Sequence, residues 1–237
     1  MLTPITDVDA YVRTREGWHT LAERVLAPAL HAATGHIGLR ALADGITTPP
    51  FGGDGRTLSL RGDELRDTRA DGSLRAVPLT TLAGAAAFAG VPLGADTGVY
   101  TATTAADPAT DVAGDGALTH ALAQWFAFGD RVLHAWTAAH PDESPATVQL
   151  WPEHFDLGTD LGPDDGRRAN YGASPGDADH ALPYLYVGPW AKSDDPFWDA
   201  GSFARLSYET LAGSTDPEAT AAEFFRHGHA IASSPKS

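Results

Sequence analysis

No cysteine occurs in the chain. That excludes disulfides, thiolate nucleophiles, iron–sulfur ligation and cysteine zinc sites. It leaves the compartment open, because a chain without thiols tolerates either redox state. Lysine is almost as scarce: Lys192 and Lys236 are the two, and the other basic side chains are arginines. With a formal charge of −15, the surface repels phosphate backbones, and cationic contacts are what nucleic-acid affinity rests on. Neither nucleic acid nor a membrane is an expected partner. No apolar run is long enough to span a bilayer. The opening residues, MLTPITDVDAY, lack the basic start and apolar core of a secretory signal, so the expected location is cytoplasmic. HExxH, P-loop, GxGxxG and GxSxG spacings are also missing, which disfavours the familiar zinc-protease, phosphate-binding and α/β-hydrolase readings. There are no internal repeats and no long low-complexity segment.

What is present describes a folded globular protein. The 237 residues are 43% hydrophobic and 20% charged, enough to bury a real core in one large domain or two small ones. Apolar residues at helical spacing predict a helix over 15–34, closed by Gly35 and kinked or split by Pro28. Residues 37–43 read as a strand and 45–55 as a Pro/Gly-rich loop. Leu58 and Leu60 alternate with polar residues, and Gly62-Asp63 and Asp71-Gly72 supply turns, so 57–79 reads as a three-stranded meander. A short Ala-rich helix over 80–89 follows. Residues 91–116 show little periodicity and form either an excursion or a linker between two lobes. Asp115 caps a long amphipathic helix to residue 139, stopped by His140-Pro141. Strands follow over 147–161, 167–174 and 183–187. Asp216 and Pro217 begin the last helix as N-cap and first residue. The expected fold class is α+β: antiparallel sheet segments, the meander at 57–79 and the strands at 147–188, packed against amphipathic helices in a single domain, with a possible two-lobe division near 91–116.

The stretch TVQLWPEHFDLGTDLG, from Thr147 to Gly162, concentrates the chemistry-bearing residues. If it is extended from Glu153 onward, alternation places Phe155, Leu157 and Leu161 on one face with Glu153 and Thr159. His154, Asp156 and Asp160 then form a row on the other. A histidine with carboxylates suits zinc, manganese or non-haem iron, or makes a general base of fixed tautomer. Glu153, His154 and Asp156 are therefore the candidate catalytic residues, as base, ligand or orienting group. The same row also reads as the wet face of a sheet. A bulge at Pro152 would exchange Glu153 and His154 between faces.

Downstream, NYGASPGD holds a Ser-Pro-Gly-Asp turn. Asp177 is placed to complete a site, or to lie in a solvated acidic loop. Tyr171, Tyr184, Tyr186, Trp190, Phe197, Trp198, Phe203 and Tyr208 make this region dense in aromatics, as core or as the wall of a small-ligand pocket. Trp151, Asp177, Tyr184, Tyr186 and Trp190 are the candidate ligand-binding residues. The other histidines carry no comparable signal. His227 and His229 flank Gly228 on the polar side of the last helix, and His19, His31, His120 and His134 sit on helices without partners at useful spacing. Arg61-Gly62-Asp63 is turn chemistry.

The segments IGLRALADGITTPPFG, VQLWPEHFDLGTDL, NYGASPGDADHALPYLYVGPW and FWDAGSFARLSYETL resemble a group of hypothetical proteins from actinobacteria, over nearly the whole chain. More distantly, the pattern is similar to a larger family of domains of unknown function. The resemblance implies no reaction, so it brings no catalytic residues, cofactor or metal. Asp156, within the Phe-Asp-Leu element shared with the distant relatives, is implied to be structural. The functional expectation is an enzyme or metal-assisted catalyst acting on a small molecule at the WPEHFD segment. The alternatives are a small-ligand-binding protein without chemistry, and a structural or interaction module.

Overall fold

The computed structural model describes residues 2–163, 166–191, 194–199 and 202–234. Among them α-helices and antiparallel strands alternate along the chain in an α+β fold. Helix α1 (Val8–Leu21) begins where the Asp7 carboxylate accepts the Ala10 N–H at 2.9 Å, a side-chain cap for an otherwise orphaned donor. It passes into a π-helical segment, Ala22–Leu26, and then α2 (Ala27–Thr34). The expected helix is thus longer at its N-terminus, and its irregularity precedes Pro28. Pro28 has no N–H for the Arg24 carbonyl and crowds it. The turn widens, and the Ala27 N–H reaches back five residues to the Ala22 carbonyl.

Strands β1 (Arg40–Leu42), β2 (Gly45–Thr47), β3 (Thr57–Arg61), β4 (Glu64–Thr68) and β5 (Leu74–Pro78) form one sheet in that order. The predicted meander is its last three strands. The expected 45–55 loop instead opens with β2, where a Cβ on Gly45 would stand 1.9 Å from the Leu60 carbonyl oxygen. Helix α3 (Leu82–Ala89) is capped by Thr81 and ends at left-handed Gly90. Helix α4 (Gly116–Ala139) starts from Asp115, whose carboxylate accepts the Ala117 N–H. It buries the stripe Leu122, Trp125, Phe126, Leu133 and Trp136. Strands β6 (Gln149–Trp151), β7 (Asp156–Leu161), β8 (Ala169–Ser174), β9 (Tyr184–Pro189) and β10 (Ala204–Ser207) make the second sheet, in the order β10-β9-β8-β7-β6. Helices α5 (Tyr208–Gly213) and α6 (Pro217–Ala232) close the chain, the second capped by Asp216 as expected.

The chain divides into two compact units. The first comprises Met1–Pro4, Phe128–Gln149 and Asp156–Ser237, and the second Ile5–Ala127 and Leu150–Phe155. Residues 91–116 all fall in the second unit. The first unit is organised around β7–β10. Register places Leu157, Ala173 and Leu185 in one row, and Thr159, Tyr171 and Val187 in the next. This face takes α4 and α6 at close range. A Cβ on Gly129 would lie 2.6 Å from Ala173 Cβ, and one on Gly228 3.0 Å from Val187. Asp156, Asp160, Tyr184 and Tyr186 alternate onto the opposite face.

Candidate metal centre

Three side chains from three elements meet in the first unit. His140 follows the last residue of α4, Glu143 ends a single 3-10 turn (Pro141–Glu143), and His229 lies in the last turn of α6. One ligand atom from each can be chosen so that all three lie within 4.8 Å of one another. Pro141 stops α4 and opens the tight turn. Its 3-10 geometry brings Glu143 back beside His140, with the Glu143 N–H donating to the His140 carbonyl at 3.2 Å. On α6, His229 sits one turn beyond fully buried Phe225 and next to Gly228, whose missing Cβ lets the helix approach β9.

The hydrogen bonds around the trio decide which atoms face the centre. His140 Nδ1 is 2.9 Å from the Trp136 carbonyl oxygen. A carbonyl only accepts, so Nδ1 carries the proton, and in the neutral ring Nε2 is left with its lone pair. His229 Nε2 is 3.3 Å from a Glu143 carboxylate oxygen, and its Nδ1 is 2.8 Å from the Tyr171 hydroxyl. Burial lowers the pKa of His229. The Glu143 charge pulls it back up and the neighbouring His140 pushes it down, leaving it below the ordinary value. The ring is neutral at pH 7, the form a metal requires. Burial also raises the Tyr171 pKa far above its usual value, with the Glu143 charge adding to the shift. That hydroxyl keeps its proton and donates to Nδ1. The second carboxylate oxygen of Glu143 is buried without a hydrogen-bond partner among the described residues.

The supporting shell is built from buried rings and one arginine. Trp136 tilts against His140 at 4.0 Å between centroids and meets His229 edge-on at 5.6 Å. Tyr171 and Phe225 pack behind it. Arg168 pairs with Asp160 and donates to the carbonyls of Ser144 and Gly162, both at 2.9 Å, and to that of Glu143 at 3.4 Å. It thereby holds the turn that carries Glu143. Two imidazole nitrogens and one carboxylate form the donor set of catalytic zinc sites and of non-haem iron sites, both of which keep coordination positions open.

The residues singled out from sequence are placed elsewhere. The expected continuous strand through WPEHFD is broken. Residues 152–155 form a turn, and Phe155 takes a φ of 52°, a left-handed conformation uncommon for a bulky side chain. From Asp156 on, the alternation runs as expected, but His154 does not join the row. It is exposed on the turn, while Asp156 is buried. Glu153 and His154 belong to the second unit and Asp156 to the first. The Asp156 face is no wet face either: its carboxylate accepts the Tyr186 hydroxyl at 2.5 Å. Asp177 accepts the backbone N–H groups of Asp179 and His180 at 2.8 Å and the Tyr184 hydroxyl. Trp190 is exposed, donates to Asn170 at 2.9 Å and stacks with Arg168. Trp151 lies at the surface at the end of β6. Of these candidates, the structure joins Asp156 with Tyr186 and Asp177 with Tyr184.

His140, Glu143 and His229 carried no comparable signal in the sequence. His140 reads as a helix stop and His229 as a polar-face residue. The accessible clue was local: a His and a Glu three apart across a Pro-initiated turn, and a His four residues after a core Phe. Comparison with protein-family models, curated proteins and solved structures finds no match.

Proposed function

We propose that the protein binds one divalent transition-metal ion through His140 Nε2, His229 Nε2 and the Glu143 carboxylate, and uses it in metal-assisted chemistry on a small molecule. The observation that carries this reading is the convergence of the three ligand atoms, with Trp136 and Tyr171 holding the far nitrogens of both rings. Such outer partners orient ligating histidines and fix their tautomers. The set is nitrogen-rich for magnesium or calcium, which take oxygen ligands, and suits zinc or ferrous iron. When bound with three protein ligands, such an ion supplies a Lewis acid and an acidified water. The chain's own part is to fix the ligands. To present the Nε2 lone pair, the neutral His229 ring would take its other tautomer: the Nε2 proton would pass to solvent, Nδ1 would take one up, and the Tyr171 hydroxyl would turn so that its oxygen accepts from Nδ1–H.

Metal analysis of the full chain equilibrated with Zn2+, together with the visible absorption of the Co2+ form, tests this. One ion per chain is expected. His140→Ala and His229→Ala should each weaken binding by more than about 100-fold, beyond the loss usual for outer-shell changes. If the double variant binds the ion as the wild type does, the reading fails.

A further inference from the structure

The second unit gathers several departures from ordinary local structure around one turn of helix. Glu23, on the π-helical segment, is fully buried and accepts the N–H groups of Thr103 at 3.1 Å and Thr104 at 2.7 Å. That pins the chain at residues 103–104, just beyond Tyr100. One turn earlier, His19 Nε2 lies 3.0 Å from the Pro152 carbonyl, and its ring stacks on Phe155 at 5.1 Å with planes 11° apart. That pins the 152–155 turn. At or beside each pinned segment lies a buried polar atom without a hydrogen-bond partner among the described residues, Tyr100 Oη and Glu153 Oε2. Unsatisfied buried groups, π-helical insertions and left-handed non-glycine residues each cost stability and collect at binding sites.

We propose that this junction is a binding site for a small organic cation bearing N–H donors, of guanidinium or ammonium type, held by the Glu153 carboxylate and the Tyr100 hydroxyl. The free valences are rich in acceptors. His19 Nε2–H is committed to Pro152, so its other nitrogen is an acceptor in the neutral ring, which burial favours. Glu153 offers an oxygen with no donor on it. Glu23 is already satisfied by the 103–104 backbone, and of the positive charges nearby Arg24 donates to Thr104 and Arg15 to Glu16. An acceptor-lined, net negative setting selects a donor-bearing cation. This site stands apart from the metal reading and shares no residue with it.

The experiment is an amide-resolved NMR titration of the full chain with methylguanidinium, ethylammonium and tetramethylammonium, the last carrying charge without N–H groups. Saturable shifts are expected for the first two at the amides of residues 100–104 and 153–155, with affinity in the roughly millimolar range, and Glu153→Gln should weaken them by about tenfold. Tyr100→Phe should weaken them several-fold, and serves if the Glu153 variant does not fold. His140→Ala should leave them unchanged, so failure of the metal centre is separable. Equal response to all three cations, the absence of saturation, or a folded Glu153→Gln chain that titrates like the wild type overturns the proposal.

Discussion

Tyr171 and Tyr186 lie on neighbouring strands yet face opposite sides of one sheet, and that parity assigns them different roles. Tyr171 reaches His229 under the helices. Tyr186 lies over Gly172 on the other face and donates to Asp156. Tyr171→Phe should leave the fold intact and weaken metal binding by about 10-fold, the scale of an outer-shell loss, read by competition with a chromophoric chelator. Gly172→Ala acts on the other face. Its Cβ would stand 2.2 Å from the Tyr186 ring, so overpacking should destabilise the chain by about 2–3 kcal/mol in denaturant unfolding. The alternation that separates the two faces is legible in the residues of β7. The pairing of Gly172 with Tyr186 is not, because it requires the register between β8 and β9.

At the scale of elements, the meander shows what periodicity reads well and what it leaves out. Its strands and Asp-Gly turn follow from local pattern. Its polar hub does not: Asp67, buried on β4, pairs with Arg56, Arg69 and Arg75 from three stretches of chain. Burial pushes the Asp67 pKa up, but the hydrogen bonds from Arg56 and Arg75 outweigh it, with the Arg56 and Arg69 charges adding, and hold it below the ordinary 3.8. Asp67→Asn strips the charge that balances three guanidiniums. A loss of about 2–4 kcal/mol is expected in thermal or urea unfolding, toward the lower end because Arg75 is largely exposed. The turn at residues 152–155 is the converse case. Apolar–polar alternation extended a strand through it, yet Pro152 withholds a ladder N–H, and His19, far away in sequence, binds the Pro152 carbonyl and stacks on Phe155.

For the whole molecule, each unit holds a half-buried histidine whose pKa lies below the ordinary 6.5, His19 in one and His229 in the other, with desolvation the first cause in both. The unfolded chain then binds more protons than the folded one just below 6.5, so these contributions to stability are complete above that pH and decline as it falls. Thermal midpoints should drop between pH 7 and pH 5, and His229→Gln should flatten its share of the slope. A pH-independent difference between the two proteins would count against the assignment. Protons also compete with the proposed ion. Added Zn2+ should raise the midpoint at pH 7, with the gain shrinking in acid and absent in His140→Ala.

Composition and period by themselves determined the class of fold, the meander and the caps at Asp115 and Asp216, since those depend on neighbours along the chain. Tertiary structure alone decided that His140, Glu143 and His229 converge, and that Glu153, His154 and Asp156 part at a turn. Ligand geometry is set by the packing of α6 against β8 and β9 and by the Arg168 clamp on a distant turn. No local window contains contacts between residues so far apart in the chain.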